Sequence, residues 1–139
     1  MKDIKIVVNN QKVTAHSITQ THLDTPIPEP GKPTRYFTVI TGAFLFDPVA
    51  IKPGKYFELE FEVPAEHIQD VIEEAIGTGN FTTEVPFNGN WITVGFTAKW
   101  NKSKKIFKCT IHMYRVSTDV SPGGQEWAIN YQLFIHHRK

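Results

Sequence analysis

The segment YFELEFEVPAEHIQDVIEEAIG, residues 56–77, carries two periodicities back to back. In its first part Phe57, Leu59, Phe61 and Val63 alternate with Tyr56, Glu58, Glu60 and Glu62, the pattern of a strand with one buried and one wet face. Pro64, which has no N–H to give a ladder, ends it. In the second part Ile68, Val71, Ile72, Ala75 and Ile76 fall on one helical stripe, with Glu66, Gln69, Asp70, Glu73 and Glu74 opposite. That spacing predicts an amphipathic helix over 66–76, with Gly77 as its stop. A strand running into such a helix can hide its apolar faces only against a sheet. The expected fold is therefore α+β but mostly β: an antiparallel β-sandwich or partly closed barrel of about seven strands with one helix.

The whole 139-residue chain fits a single domain, 1–139. Ile6 and Val8, then the turn chemistry of Asn9-Asn10-Gln11, predict an opening hairpin. Pro26, Pro28, Pro30 and Pro33 predict a proline-rich loop or arm at 19–34, in which Leu23 and Ile27 are the apolar groups able to dock on a neighbouring subunit. Arg35–Thr41 reads as a strand, with Gly42 permitting a bulge before Phe44. Turns are expected at Pro53-Gly54, at Asn88-Gly89-Asn90 and at Pro122-Gly123-Gly124. Beyond them, Ile92, Val94, Phe96, Ala98 and Trp100 form one inward set and Phe107, Cys109, Ile111 and Met113 another. With Ile129, Tyr131, Leu133 and Ile135 they predict a three-stranded meander.

A lone cysteine, Cys109, excludes an internal disulfide and reads as a small buried hydrophobe. No apolar run approaches the ~18 residues of a membrane span, and Met1–Lys5 lacks a signal-peptide core. The expectation is a soluble cytoplasmic protein without a membrane partner, or a virion component if the gene is phage-derived. The net charge of +1 conceals a split. Glu58, Glu60, Glu62, Glu66, Asp70, Glu73, Glu74 and Glu84 crowd the middle, whereas 85–118 holds lysines and Arg115 with no acid. Two such surfaces can meet within one fold or between copies.

The six histidines show no spacing along one element that would put two imidazoles on a face, so no metal and no cofactor is expected. Nucleophile-elbow, zincin, P-loop and dinucleotide-binding motifs are all missing from the sequence, which argues against an enzyme. Lys99, Lys102, Lys104, Lys105 and Lys108 cluster around Trp100 in the hairpin 99–108, with Trp91 outward on the same strand. Basic groups interleaved with aromatics are what single-stranded nucleic-acid binders use, and Arg35 and Tyr36 join that candidate contact set. The leading expectation is a non-catalytic protein that self-associates or docks on a protein partner. In strand–helix–strand order it is similar to tube- and ring-forming β-sandwich proteins such as phage tail tubes, an architectural analogy without a shared motif. The alternatives are a single-stranded nucleic-acid-binding protein and a small-ligand-binding protein.

Overall fold

Among the described residues each period-2 run finds a partner, and the result is a single sheet of eight antiparallel strands. The computed structural model describes residues 5–8, 10–46, 56–83, 91–115 and 127–139. The expected turns at Pro53-Gly54, Asn88-Gly89-Asn90 and Pro122-Gly123-Gly124 lie outside the described residues. The strands are β1 (Lys5–Val8), β2 (Gln11–Ile27), β3 (Arg35–Phe46), β4 (Tyr56–Pro64), β5 (Val71–Thr83), β6 (Trp91–Asn101), β7 (Ile106–Arg115) and β8 (Trp127–Arg138). They are hydrogen-bonded in the order β5-β8-β3-β2-β1-β4-β7-β6. The two end strands, β5 and β6, return to lie side by side, so the sheet is a nearly closed barrel.

β2 makes that closure work. Its first residues, Gln11–Thr14, pair with β1, and from Ala15 to Ile27 it pairs with β3. The ladder slips between His16 and Thr19, where Ser17 takes φ 52°, and such a bulge bends and twists a strand from one half of the barrel into the other.

The predicted helix over 66–76 is not formed. Residues 65–70 make a turn with Ile68 N–H donating to Ala65 O, and Val71–Thr83 is strand β5, paired along its length with β8. The helical stripe arises from a parity change: the β5–β8 register slips between Ile72 and Glu74, so an alternating strand with one extra residue imitates a 3.6-residue period. The β-branched Val71, Ile72 and Ile76 suit a strand. Of the predicted stripe, Ile68 is buried, but Val71 and Ile76 are about half exposed, at 47% and 54%. Gly77 is no helix stop; a Cβ there would stand 2.0 Å from the Phe96 ring, which lies across the line where β5 meets β6.

The arm at 19–34 is corrected in the same way, since Thr19–Ile27 belongs to β2 and only 28–34 connects it to β3. Pro28, Pro30 and Pro33 fall in that connection, where Gly31 takes φ 74°. Pro26 is tolerated because this part of β2 is the edge of the β2–β3–β8–β5 half, with an open side where no N–H is called for. Three smaller expectations also change. β3 runs through Gly42 without a bulge, β8 leaves the β6–β7 hairpin to sit between β3 and β5, and a register slip at Thr93/Gly95 leaves Val94 53% exposed.

The core is the set of inward positions. Leu59, Phe61 and Val63 of β4, Phe107, Cys109, Ile111 and Met113 of β7, and Ile129, Tyr131, Leu133 and Ile135 of β8 are buried as their alternation requires. Phe61 packs on Phe44 edge-on at 5.2 Å and on Tyr131 at 5.0 Å between ring centroids. The Tyr131 hydroxyl donates to Gln20 Oε1 at 3.0 Å, and Gln20 Nε2 donates to Pro64 O at 2.8 Å, so the one hydroxyl in this aromatic cluster is partnered. Burial pushes the Cys109 thiol up to about 12, which keeps it protonated and inert at neutral pH.

Candidate functional site

The basic hairpin forms as expected, with Asn101 paired to Ile106 and a four-residue tip at 102–105. Asn101 Oδ1 accepts from Ser103 Oγ and from Lys104 N–H, and Lys105 closes the turn at φ 55°. The nucleic-acid candidates on it are separated rather than gathered. Trp100 faces inward, 4.8 Å from Phe107 ring to ring, with the Lys105 ammonium 5.8 Å from its centroid. Lys105 Nζ donates to Ile68 O at 3.2 Å and reaches Asp70 at 3.4 Å, and Lys108 pairs with Glu60 at 3.6 Å. Lys99, Lys102 and Lys104 are exposed, while the side chain of Trp91 lies outside the described residues. Arg35 is engaged by Glu29 at 3.2 Å and Glu73 at 3.3 Å, and Tyr36 stacks on His137 at 5.5 Å, on strands that share no ladder with the hairpin. The acidic strand and the basic hairpin thus meet within the fold through Glu60–Lys108 across β4 and β7, and His112, further along β7, lies 3.4 Å from Glu58.

Leu23 and Ile27 are 68% and 37% exposed. The ladder sets Leu23 in a row with Val39, Phe134 and Ile76, one residue from each of β2, β3, β8 and β5, all on the solvent side. Next to it run Thr21–Thr41–Gln132–Thr78 and then Thr19–Ala43–Asn130–Asn80. These last two rows line an open depression of about 420 Å³. Twelve adjacent outward positions on four strands carry no charge, in a chain that is 21% charged. Beyond the apolar row, Phe37 and His136 sit 4.9 Å apart, and then Glu29, Arg35, Glu73 and Arg138 form an ion-pair rim. Arg138 Nε donates to Glu73 at 2.7 Å, and this hydrogen bond is the main reason the Glu73 carboxyl is held below the usual range.

A second polar group occupies the inner side of the same four strands, where the apolar core ends. His22 and Asp24 alternate on β2, and the turn at 65–70 brings His67 onto them, its ring stacked on His22 at 3.7 Å. Asp24 Oδ2 lies 3.5 Å from His22 Nε2, and Asp24 Oδ1 lies 3.7 Å from His67 Nε2. His67 Nε2 is buried and makes no hydrogen bond. Behind them runs a chain whose direction is fixed at its far end. Gln69 N–H donates to His137 Nδ1 at 2.9 Å, which leaves the proton of the neutral ring on Nε2. That N–H donates to Thr38 Oγ1 at 2.7 Å, and Thr38 O–H donates to Asp24 Oδ1 at 2.6 Å. Burial lowers the pKa of His137, partly offset by Asp24, with His67 and His136 lowering it further. His67 is lowered chiefly by burial and then by His22, against Asp24.

Sequence reasoning missed this cluster because it looked for two histidines on one element. The available signal was His22-x-Asp24, two ligating groups at strand spacing, in a stretch whose prolines read as a loop. His67 has no local signal, since only the fold brings it there. Comparison of the chain with protein-family models, with curated proteins and with solved structures gave no match. Among the described residues no helix is long and apolar enough to cross a membrane.

Proposed function

We propose that this is a non-catalytic binding protein that self-associates through the solvent face of β2, β3, β8 and β5. The observation that carries the reading is the uncharged face itself: an apolar row with Leu23 and Ile76 more than half exposed, beside a neutral polar depression and inside a charged rim. Depletion of charge at the centre, with charge at the edge, is the composition of a protein–protein contact. Four strands at ~4.8 Å spacing and three rows at ~6.8 Å make a face of about 400 Å². A standard interface buries ~800 Å² per partner, so this face supplies its centre and the Phe37–His136 row and rim supply more.

A second copy suits the face for a symmetry reason. A two-fold axis laid along the Leu23–Val39–Phe134–Ile76 row sets that row on itself. It also lowers the Phe37 and His136 rings of each copy toward the Thr/Asn/Gln depression of the other, a bulky group against a hollow. The lopsided charge gives this reading no support, because the Glu60–Lys108 and Asp70–Lys105 pairs already join the acidic and basic stretches within one chain. Single-stranded nucleic-acid binding keeps the exposed Lys99, Lys102 and Lys104 but lacks Trp100 as a stacking platform. The depression has the volume of a small-ligand site, yet it is open and has no aromatic wall apart from Tyr131.

Light scattering across a concentration series tests the proposal. The parent protein is expected at twice the chain mass, and Leu23→Glu with Ile76→Glu at the monomer mass with its β-rich circular dichroism kept. Tyr56→Ser, which removes an exposed ring from β4 in the other half of the barrel, should leave the mass unchanged. A parent protein that stays monomeric at the highest concentration would rule out self-association.

A further inference from the structure

We propose that His22, Asp24 and His67 form a binding site for a borderline divalent transition metal of the zinc class. The three residues come from β2 and from the turn at 65–70, and their ligand atoms all lie within 4.8 Å of one another. Tetrahedral zinc with bonds of about 2.0–2.2 Å holds its ligand atoms roughly 3.4 Å apart. Asp24 Oδ2 already stands at that spacing from His22 Nε2, at 3.5 Å, and the other carboxylate oxygen, Oδ1, lies 3.7 Å from His67 Nε2. Two imidazoles and one carboxylate are a donor set for zinc, cobalt, nickel or non-haem iron, and a poor one for calcium or magnesium, which take oxygen ligands.

Two further features point the same way. The buried His67 Nε2 has no hydrogen-bond partner, and a ligand atom from each of His22 and Asp24 lies within 4.8 Å of a ligand atom of its ring. Asp24 is held from behind by the Gln69–His137–Thr38 chain, which occupies Oδ1 and leaves Oδ2 facing His22. Carboxylate ligands oriented by outer partners in this way are a regular part of metal sites.

The stacked rings set a condition. With the rings stacked and their planes 15° apart, the Nε2 lone pairs of His22 and His67 lie in nearly parallel planes and cannot converge on one ion. One ring must turn about its Cβ–Cγ bond, and His22, with 46% of its side chain exposed, is the one with room to do so. Three protein ligands then leave a fourth position to water on the exposed side. The site lies on the opposite side of β2 from Leu23, so it is independent of the self-association face.

The test uses the tag-free full chain, stripped with chelator and titrated with Co²⁺ and then Zn²⁺. One equivalent of Co²⁺ is expected to give the visible bands of a tetrahedral site, and Zn²⁺ to displace it. His22→Ala and His67→Ala should each weaken binding by at least tenfold, while His112→Ala, a histidine paired with Glu58 in the other half of the barrel, should bind as the parent does. Because His22 is exposed, its variant is expected to keep the parent unfolding midpoint, so loss of metal cannot be blamed on loss of fold. No binding of either ion, or binding that survives both His22→Ala and His67→Ala, overturns the proposal.

Discussion

The ring of Tyr131 occupies the space that a side chain at position 42 would need: a Cβ on Gly42 would stand 2.2 Å from the Tyr131 Cζ and hydroxyl oxygen. The ring cannot swing aside, because Phe61 and Phe44 pack on it and its hydroxyl is tied to Gln20. Gly42→Ala should therefore cost at least the ~1–3 kcal/mol typical of overpacking. Tyr131→Phe, which removes one hydrogen bond and keeps the ring, should cost about 1 kcal/mol. Denaturant midpoints check both; a Gly42→Ala protein as stable as the parent would show that the ring does not fill this space.

The buried His137 predicts a pH dependence in chelator-treated protein. Its folded-state pKa is lowered from 6.5, burial being the largest cause. Between that lowered value and 6.5 the unfolded chain binds a proton that the folded chain refuses, so stability rises with pH there. It is complete above 6.5 and is lost as the pH falls below it. His137→Asn, whose carbonyl can still accept from Gln69, should flatten that slope. A His137 imidazole found by NMR to titrate at or above 6.5 would contradict the assignment.

Lys105 anchors the turn that carries His67. Its ammonium donates to Ile68 O from a side chain 34% exposed, so Lys105→Met is expected to cost ~1 kcal/mol after allowance for solvent screening. Asp70→Ala removes only the exposed end of the same interaction and should be nearly silent in thermal unfolding.

Any oligonucleotide held by the 99–108 hairpin should be held through its phosphates without stacking, because Trp100 points inward. Replacing Lys99, Lys102 and Lys104 by Ser should then lower the salt slope of binding by about 0.7 for each phosphate no longer neutralised. Strong tryptophan quenching that depends on Trp100 would argue that the indole leaves the core.

Strands with one buried face are legible from the residues alone, because their alternation is a direct record of inside and outside. Among the described side chains, β4, β7 and β8 bury the positions that their patterns assign. β5 is not, because the slip at Glu73 turns an alternating strand into a counterfeit helical stripe. The second half of β2 is hidden by Pro26 and the three prolines that follow the strand, which weigh against a strand until it is known that Pro26 lies on a sheet edge. Sheet order is illegible for a related reason: β8 follows the β6–β7 hairpin in sequence but pairs with β3 and β5, and only three-dimensional closure decides that. Both candidate sites inherit these gaps. The uncharged face depends on knowing that β2, β3, β8 and β5 are neighbours, and the His–Asp cluster depends on a turn whose residues imitate a helix.

The line between β5 and β6 gives the barrel a built-in slit. Among the described residues every other boundary between neighbouring strands is a ladder, so opening it breaks a column of hydrogen bonds, whereas this one shows no ladder and is sealed by Phe96 lying over Gly77 and Gly79. Among the described residues, prising it apart costs side-chain packing rather than a ladder. Thermal breathing should start there, and amide deuteration would sweep inward from the free edges of β5 and β6, reaching the β1–β2 ladder last. The two glycines that let the ring lie flat are thus also what decides how tightly the cylinder is shut.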